Sequence, residues 1–276
     1  MINAIIKISR PVNFFITFFA VIIAALISSK NNFIDKEIIF AALAMAFACS
    51  AGNIYNDIVD IEIDKINKPG RILPKGIISI LSAKILYGIF IIVSLGLAFY
   101  NGIDSFLCLV TINFILVFYS TFFKKVILLG NLIVSLLTAS ALIYGAMIAG
   151  NIYAGIIPAL FAFFTNFIRE IIKDMEDVHG DNINDVKTFP QVYGTKKTYS
   201  LILRSTIFLM LFTFVPFIYK IYNIEFFIII MAIVNPLFVF MLKILYKSQN
   251  LDVLKKASGI VKLTMIIGLI AIYIGA

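Results

Sequence analysis

About nine apolar segments, each long enough to cross a bilayer as a helix, run through this chain near 13–28, 38–55, 82–100, 106–122, 128–149, 152–172, 201–221, 226–246 and 260–274. A hydrocarbon core of about 30 Å needs roughly 20 apolar residues at about 1.5 Å each. Within lipid a backbone satisfies its own N–H and C=O groups only as a helix or a closed barrel, and unbroken apolar runs of this length read as helices. The expected fold is all-α and polytopic, with one transmembrane domain over 1–276. Composition agrees, because 62% hydrophobic and 14% charged residues leave too little polar surface for a water-soluble domain of ordinary kind.

Basic residues fall unevenly between the two sides that these spans define. Lys7 and Arg10, then Lys65, Lys68, Arg71, Lys75 and Lys84, then Lys124 and Lys125, share one side. Lys173, Lys187, Lys196, Lys197 and Arg204, then Lys243, Lys247, Lys255, Lys256 and Lys262, fall there too, against Lys30, Lys36 and Lys220 opposite. Loops rich in Lys and Arg stay in the cytosol. The N-terminus is therefore expected inside and, after an odd number of spans, the C-terminus outside. The net charge of +8 reads as topology and attraction to anionic lipid, with nucleic acid excluded as a partner and no obligate protein partner inferred.

Only fifteen carboxylates occur, and six form a repeated pattern: Asp57, Asp60 and Asp64 recur with the same spacing as Asp174, Asp177 and Asp181. At about 100° per residue, a helix would hold each trio within an arc of roughly 60°. Such like charges repel unless cations neutralise them. Hard divalent ions such as Mg²⁺ prefer carboxylate oxygens and complete their shell with water and substrate phosphates. Two facing stripes would therefore clamp a Mg²⁺-bound diphosphate at the cytosolic end of the spans. The stripes open the two longest expected connections, 53–84 and 166–199, each passing from acids to a turn and then to basic residues. This is a weak internal repeat four spans apart. A polar residue stands one turn before each stripe, Asn53 before Asp57 and Glu170 before Asp174.

Cys49 and Cys108 both fall within spans and read as packing residues, and the single histidine, His179, removes His-rich metal sites and a Ser-His-Asp hydrolase. Lys7 and Arg10 ahead of an apolar run look like the start of a signal peptide, but eight further spans follow.

Four motifs then coincide: R-P-x-N at 10–13, N-x-x-N-D-x-x-D-x-x-x-D at 53–64, G-R-x-L-P at 70–74, and a second acidic motif that closes with V-K-T at 186–188. Together they resemble the UbiA-type intramembrane prenyltransferases over nearly the whole chain. The run R-E-I-I-K-D-M-E-D-V-H-G-D at 169–181 looks most like the archaeal ether-lipid branch of that family.

The resemblance implies about nine helices around a central cavity open to the cytosol. It implies Mg²⁺, two ions, held by Asn53, Asp57, Asp60, Asp64, Asp174, Asp177 and Asp181, with Asp57, Asp64, Asp174, Asp177 and Asp181 the catalytic set. Arg71, Lys124 and Lys187 are then expected on the diphosphate, with Arg10, Asn13 and Asn166 shaping the pocket and Tyr119 beside the diphosphate. The implied donor is geranylgeranyl diphosphate and the implied acceptor geranylgeranylglyceryl phosphate. Departure of pyrophosphate leaves a resonance-stabilised cation that a hydroxyl captures, so charge stabilisation, proximity and exclusion of water outweigh a strong base. Either a carboxylate of the second motif or pyrophosphate takes the proton. Arg169, with Lys68, Lys75, Lys125 and Lys196, is expected near the acceptor phosphate, unless those lysines serve topology alone.

An aromatic acceptor, as in quinone biosynthesis, is the alternative within the same family. A transporter is the alternative outside it, but its ionisable groups belong near mid-span rather than at one face. The paired D-G and A-R motifs of phosphatidyltransferases and the D-D-x-x-D of soluble prenyl synthases are absent.

Overall fold

The computed structural model describes residues 2–29, 33–181 and 187–276, the side chains of 2 and 179–181 excepted. Lys30 and the side chains of His179 and Asp181 lie outside the described residues.

Among the described residues every regular element is a helix and none is a strand. After a short leading helix α1 (Ile2–Ile8) come α2 (Pro11–Ser28), α3 (Lys36–Val59), α4 (Ile61–Asn67), α5 (Ile80–Tyr100), α6 (Ile103–Thr121) and α7 (Leu129–Ile148). The second half holds α8 (Ile156–Asp181), α9 (Phe189–Phe212), α10 (Val215–Ile218), α11 (Ile224–Ile229), α12 (Asn235–Lys247) and α13 (Leu251–Gly275). Among the described residues nine helical stretches are long and apolar enough to cross a membrane, as the sequence predicts. In this count α9 and α10 form one stretch, and α11 and α12 another. A π turn at Ile230–Val234 joins α11 to α12, where Pro236 has no N–H to continue the α-helical ladder.

Small residues set the packing of the first half. Ala41, Ala42, Ala44, Ala46, Ala48 and Ala51 along α3 are fully buried and let neighbouring helices approach closely. Gly145 in α7 does the same for α2, since a Cβ there would meet the Val21 carbonyl oxygen at 2.3 Å. Interhelical hydrogen bonds add specificity: Ser94 Oγ donates to the Ala44 carbonyl at 2.8 Å, and the Ser105 and Tyr144 hydroxyls lie 2.6 Å apart. One apolar cluster joins α2, α3, α5, α6 and α7, and a second joins α8, α9, α11, α12 and α13. A cavity of about 590 Å³ is lined from both halves.

Two expectations need correction. The connections expected at 53–84 and 166–199 are mostly helical, because α3 runs on to Val59, α4 follows at once, α8 reaches Asp181 and α9 begins at Phe189. Charged residues mark where apolar character ends, whereas the backbone hydrogen-bond ladder continues past that point. The first acidic stripe also does not lie on one helix. Asp60 leaves helical geometry (φ −89°, ψ 9°) and separates α3 from α4, so Asp57 and Asp64 stand on different elements.

Candidate active site

Both acidic motifs arrive at the same end of the bundle. Asn67, at the end of α4, donates through Nδ2 to the Asp177 carbonyl on α8 at 2.9 Å, and Lys68 pairs with the Asp177 carboxylate. These contacts join residues more than a hundred positions apart and seat the first motif on the second.

The first motif is deeply buried: Asp57, Asp60 and Asp64 are 7%, 4% and 3% exposed. Carboxylates buried to this degree need counter-charge. Arg71 forms an ion pair with Asp64 and reaches Asp57 Oδ1 at 3.1 Å. Arg10 pairs with Asp57 and donates to Asn53 Oδ1 at 3.1 Å. Lys124 pairs with Asp60, which also accepts from Asn56 Nδ2 at 2.7 Å. On α8, Asp174 accepts from Asn131 Nδ2 at 2.9 Å. Burial pushes the Asp64 carboxyl above its ordinary value even though Arg71 opposes the shift. The strain of the arrangement shows at Arg10, which caps α2 with a left-handed φ of 49° that non-glycine residues seldom adopt.

The acids therefore do not stand as bare clusters. Among the described residues no three His, Cys, Asp or Glu side chains converge tightly enough to hold a metal by themselves. The sequence places the basic residues beside the acids; the structure turns them onto the acids, since a buried carboxylate is neutralised by Arg or Lys and repelled by another carboxylate. The donor set nevertheless suits a hard divalent cation, being carboxylate and amide oxygens with no soft ligand among them. Two buried acceptor oxygens, Asn56 Oδ1 and Glu176 Oε1, have no hydrogen-bond partner, and both residues line the large cavity.

Of the expected substrate residues, Arg10, Asn13, Arg71, Tyr119, Asn166 and Arg169 line the large cavity. Lys124 and Lys187 line a smaller one of about 80 Å³, which Tyr119 and Arg71 share. Among the described residues Lys68 reaches both cavities, whereas Lys75, Lys125 and Lys196 line neither. Sequence reasoning missed Asn131 and gave Asn56, Lys173 and Lys262 no role in the site. Asn56 stands inside the first motif. Lys173, read as a topology residue, binds Glu170 at 2.8 and 2.9 Å. For Asn131 the sequence carries no signal, because it is a lone polar residue whose partner lies on another span.

A bundle of membrane-length apolar helices whose paired acids and bases crown a mostly apolar cavity is a membrane enzyme suited to amphipathic phosphorylated substrates. Residues 15–266 match the UbiA prenyltransferase family, and the chain belongs to it. The chain is 33% identical to digeranylgeranylglyceryl phosphate synthase of Methanosphaera stadtmanae, over 99% of each. A solved structure of a digeranylgeranylglyceryl phosphate synthase superposes with a TM-score of 0.76 at 33% identity, covering 99% of this chain and 98% of that one. A UbiA homologue from Archaeoglobus fulgidus bound to GPP and Mg²⁺ shares the fold, with a TM-score of 0.68 at 17% identity and coverage of 98% and 99%.

Proposed function

We propose that this chain transfers the geranylgeranyl group of geranylgeranyl diphosphate to the free hydroxyl of geranylgeranylglyceryl phosphate, as a single domain acting at the cytosolic face with its N-terminus inside and C-terminus outside. The observation that carries this reading is the convergence of both acidic motifs with Arg10, Lys68 and Arg71 at one end of a cavity whose far end is apolar. Full-length likeness to synthases of that name supports the acceptor.

Asn53, Asp57, Asp60, Asp64, Asp174, Asp177 and Asp181 are the residues that would hold Mg²⁺, in two ions. When bound, Mg²⁺ neutralises the diphosphate and favours its departure. It is a family relative that is bound to GPP and Mg²⁺. Arg71 and Lys187 contribute fixed positive charge where the leaving group gathers negative charge, Arg as a two-pronged donor and Lys as a compact one, and Lys124 helps to bind the diphosphate. Arg71 and Lys124 are already placed by their pairing with aspartates, so little reorganisation is needed there. The allylic C–O bond breaks with its electron pair leaving on pyrophosphate. The acceptor hydroxyl then forms the ether C–O bond and loses its proton to a carboxylate of the second motif or to pyrophosphate. Tyr119, shared by both cavities, has its ring at the junction of polar and apolar regions, where an aromatic face stabilises a developing cation. The enclosed apolar wall keeps bulk water from capturing the cation first.

Asp57→Asn and Asp177→Asn test the reading, since each keeps the side chain's shape and removes its charge. Transfer should fall at least about a hundredfold in each. Activity near that of the unaltered chain in both would remove the metal-binding role.

A further inference from the structure

The large cavity carries positive charge that the acidic motifs do not balance. On α8, Glu170 accepts from Arg169 at 3.1 Å and from Lys173 at 2.8 and 2.9 Å, so one carboxylate serves two cations. On α13, the partner of Lys262 among the described residues is neutral: its Nζ donates to Asn13 Oδ1 at 2.9 Å. Arg169 and Arg10, both cations, line the same cavity as Lys262. Two more donors are unsatisfied. Asn166 is 5% exposed and its Nδ2 has no partner, and the buried Nε of Arg169 has none either. Arg169, Asn166, Asn13 and Lys262 all line this cavity.

Unbalanced cations and orphaned donors within membrane spans are costly and mark function. The orphaned groups of this cluster are donors and call for an anion rich in acceptor oxygens, whereas the orphaned acceptors Asn56 Oδ1 and Glu176 Oε1 belong to the acidic motifs, beside Asp57 and between Asp174 and Asp177. Arg169 and Asn166 precede Asp174 on α8 by five and eight residues, about 8 and 12 Å along the helix axis. The site is thus offset from the level where Arg71, Lys68 and Lys124 meet the aspartates.

We propose that Lys262, Asn13, Asn166 and Arg169 form a second anion site, distinct from the diphosphate site, that holds the phosphate monoester of the lipid acceptor. This rests on the acceptor assigned above. A phosphate monoester brings a charge of about −1.5 to −2 and three acceptor oxygens, matching the surplus of Lys262 and of the Arg169–Glu170–Lys173 group together with the orphaned donors. It also orients the acceptor, because tethering the phosphate at one level holds the glyceryl hydroxyl within reach of the other.

The test measures binding to the full-length chain in detergent micelles, without donor and without Mg²⁺. Calorimetry follows geranylgeranylglyceryl phosphate, geranylgeranylglycerol and inorganic phosphate in parallel. Lys262→Met is expected to weaken the phosphorylated lipid at least tenfold and leave geranylgeranylglycerol unchanged. Lys262→Arg, which keeps the charge, is expected to retain binding and to report an intact fold. Inorganic phosphate should compete with the phosphorylated lipid in the unaltered chain and lose that effect in Lys262→Met. Unchanged affinity, or equal weakening of both lipids, would overturn the proposal. A transfer assay on the same preparations separates the two readings: Lys262-dependent binding without ether formation keeps the anion site and removes the assigned reaction.

Discussion

Asp57 is held from two sides, by Arg10 and by Arg71, and this pairing changes what its removal should do. Relief of repulsion among neighbouring carboxylates would leave the fold untouched, but truncating a buried partner strands the charges that faced it. Complete burial would put that loss at about 3–5 kcal/mol. With both arginines 26% exposed, Asp57→Ala should cost less, about 2 kcal/mol, seen as a lowered melting temperature that Asp57→Asn largely restores. Equal melting temperatures for Asp57→Ala and the unaltered chain would show that the pairing contributes nothing to stability. Lys124, paired with Asp60 beside the smaller cavity, should act on the donor. Lys124→Ala is expected to raise the KM for the diphosphate about tenfold with kcat little changed, the loss of one charge-assisted hydrogen bond. A fall in kcat alone would move Lys124 from binding to the chemical step. The aspartates and Arg71 were legible because they recur in spaced motifs. Lys262 and Asn13 were not read as a pair, since their contact joins positions 249 residues apart and neither residue hints at the other.

Helix contacts in this bundle depend on where side chains are absent. At Gly145 of α7 a Cβ would also come within 3.0 Å of the Ala24 Cβ on α2, whereas at Gly88 of α5 nothing lies within 4 Å. Gly145→Ala should therefore destabilise by about 1–3 kcal/mol through overpacking. Gly88→Ala should be neutral or stabilise by up to about 1 kcal/mol, because alanine is the better helix former. Thermal unfolding in detergent distinguishes them, and equal melting temperatures would contradict the close approach of α2 and α7. Hydropathy located most spans closely: 82–100 became Ile80–Tyr100, and 106–122 became Ile103–Thr121. It missed the start of α9 by twelve residues, since Gly194 (φ 79°, ψ 164°) breaks the helix within this stretch and Lys196, Lys197 and Thr198 make the turn after it polar. The local signal was present in other terms. Pro190 sits in the first turn, and Gln191 Oε1 accepts from the Thr188 N–H at 2.7 Å. Nothing comparable announces the break at Asp60, where no Gly or Pro occurs.

Over the whole molecule, the cavity runs from the basic residues at the acid end to Phe226 and Ile272 near the opposite end, within a volume of about 590 Å³. That depth suits a long isoprenoid chain. Gly268 lines it with open space where a side chain would project. Gly268→Phe should fill the apolar depth and lower kcat/KM for geranylgeranyl diphosphate at least tenfold more than for geranyl diphosphate. An equal loss for both donors would place the tail elsewhere. The central claim is that charged groups at one end and apolar depth at the other together make a prenyl transfer site for a phosphorylated lipid hydroxyl. Its most direct measurement is product formation by the purified chain from labelled geranylgeranyl diphosphate, with geranylgeranylglyceryl phosphate and 4-hydroxybenzoate offered separately, each with Mg²⁺ or with EDTA. An ether product is expected with the glyceryl phosphate alone, and only with Mg²⁺. Product with 4-hydroxybenzoate alone, or no product with either acceptor, would contradict it.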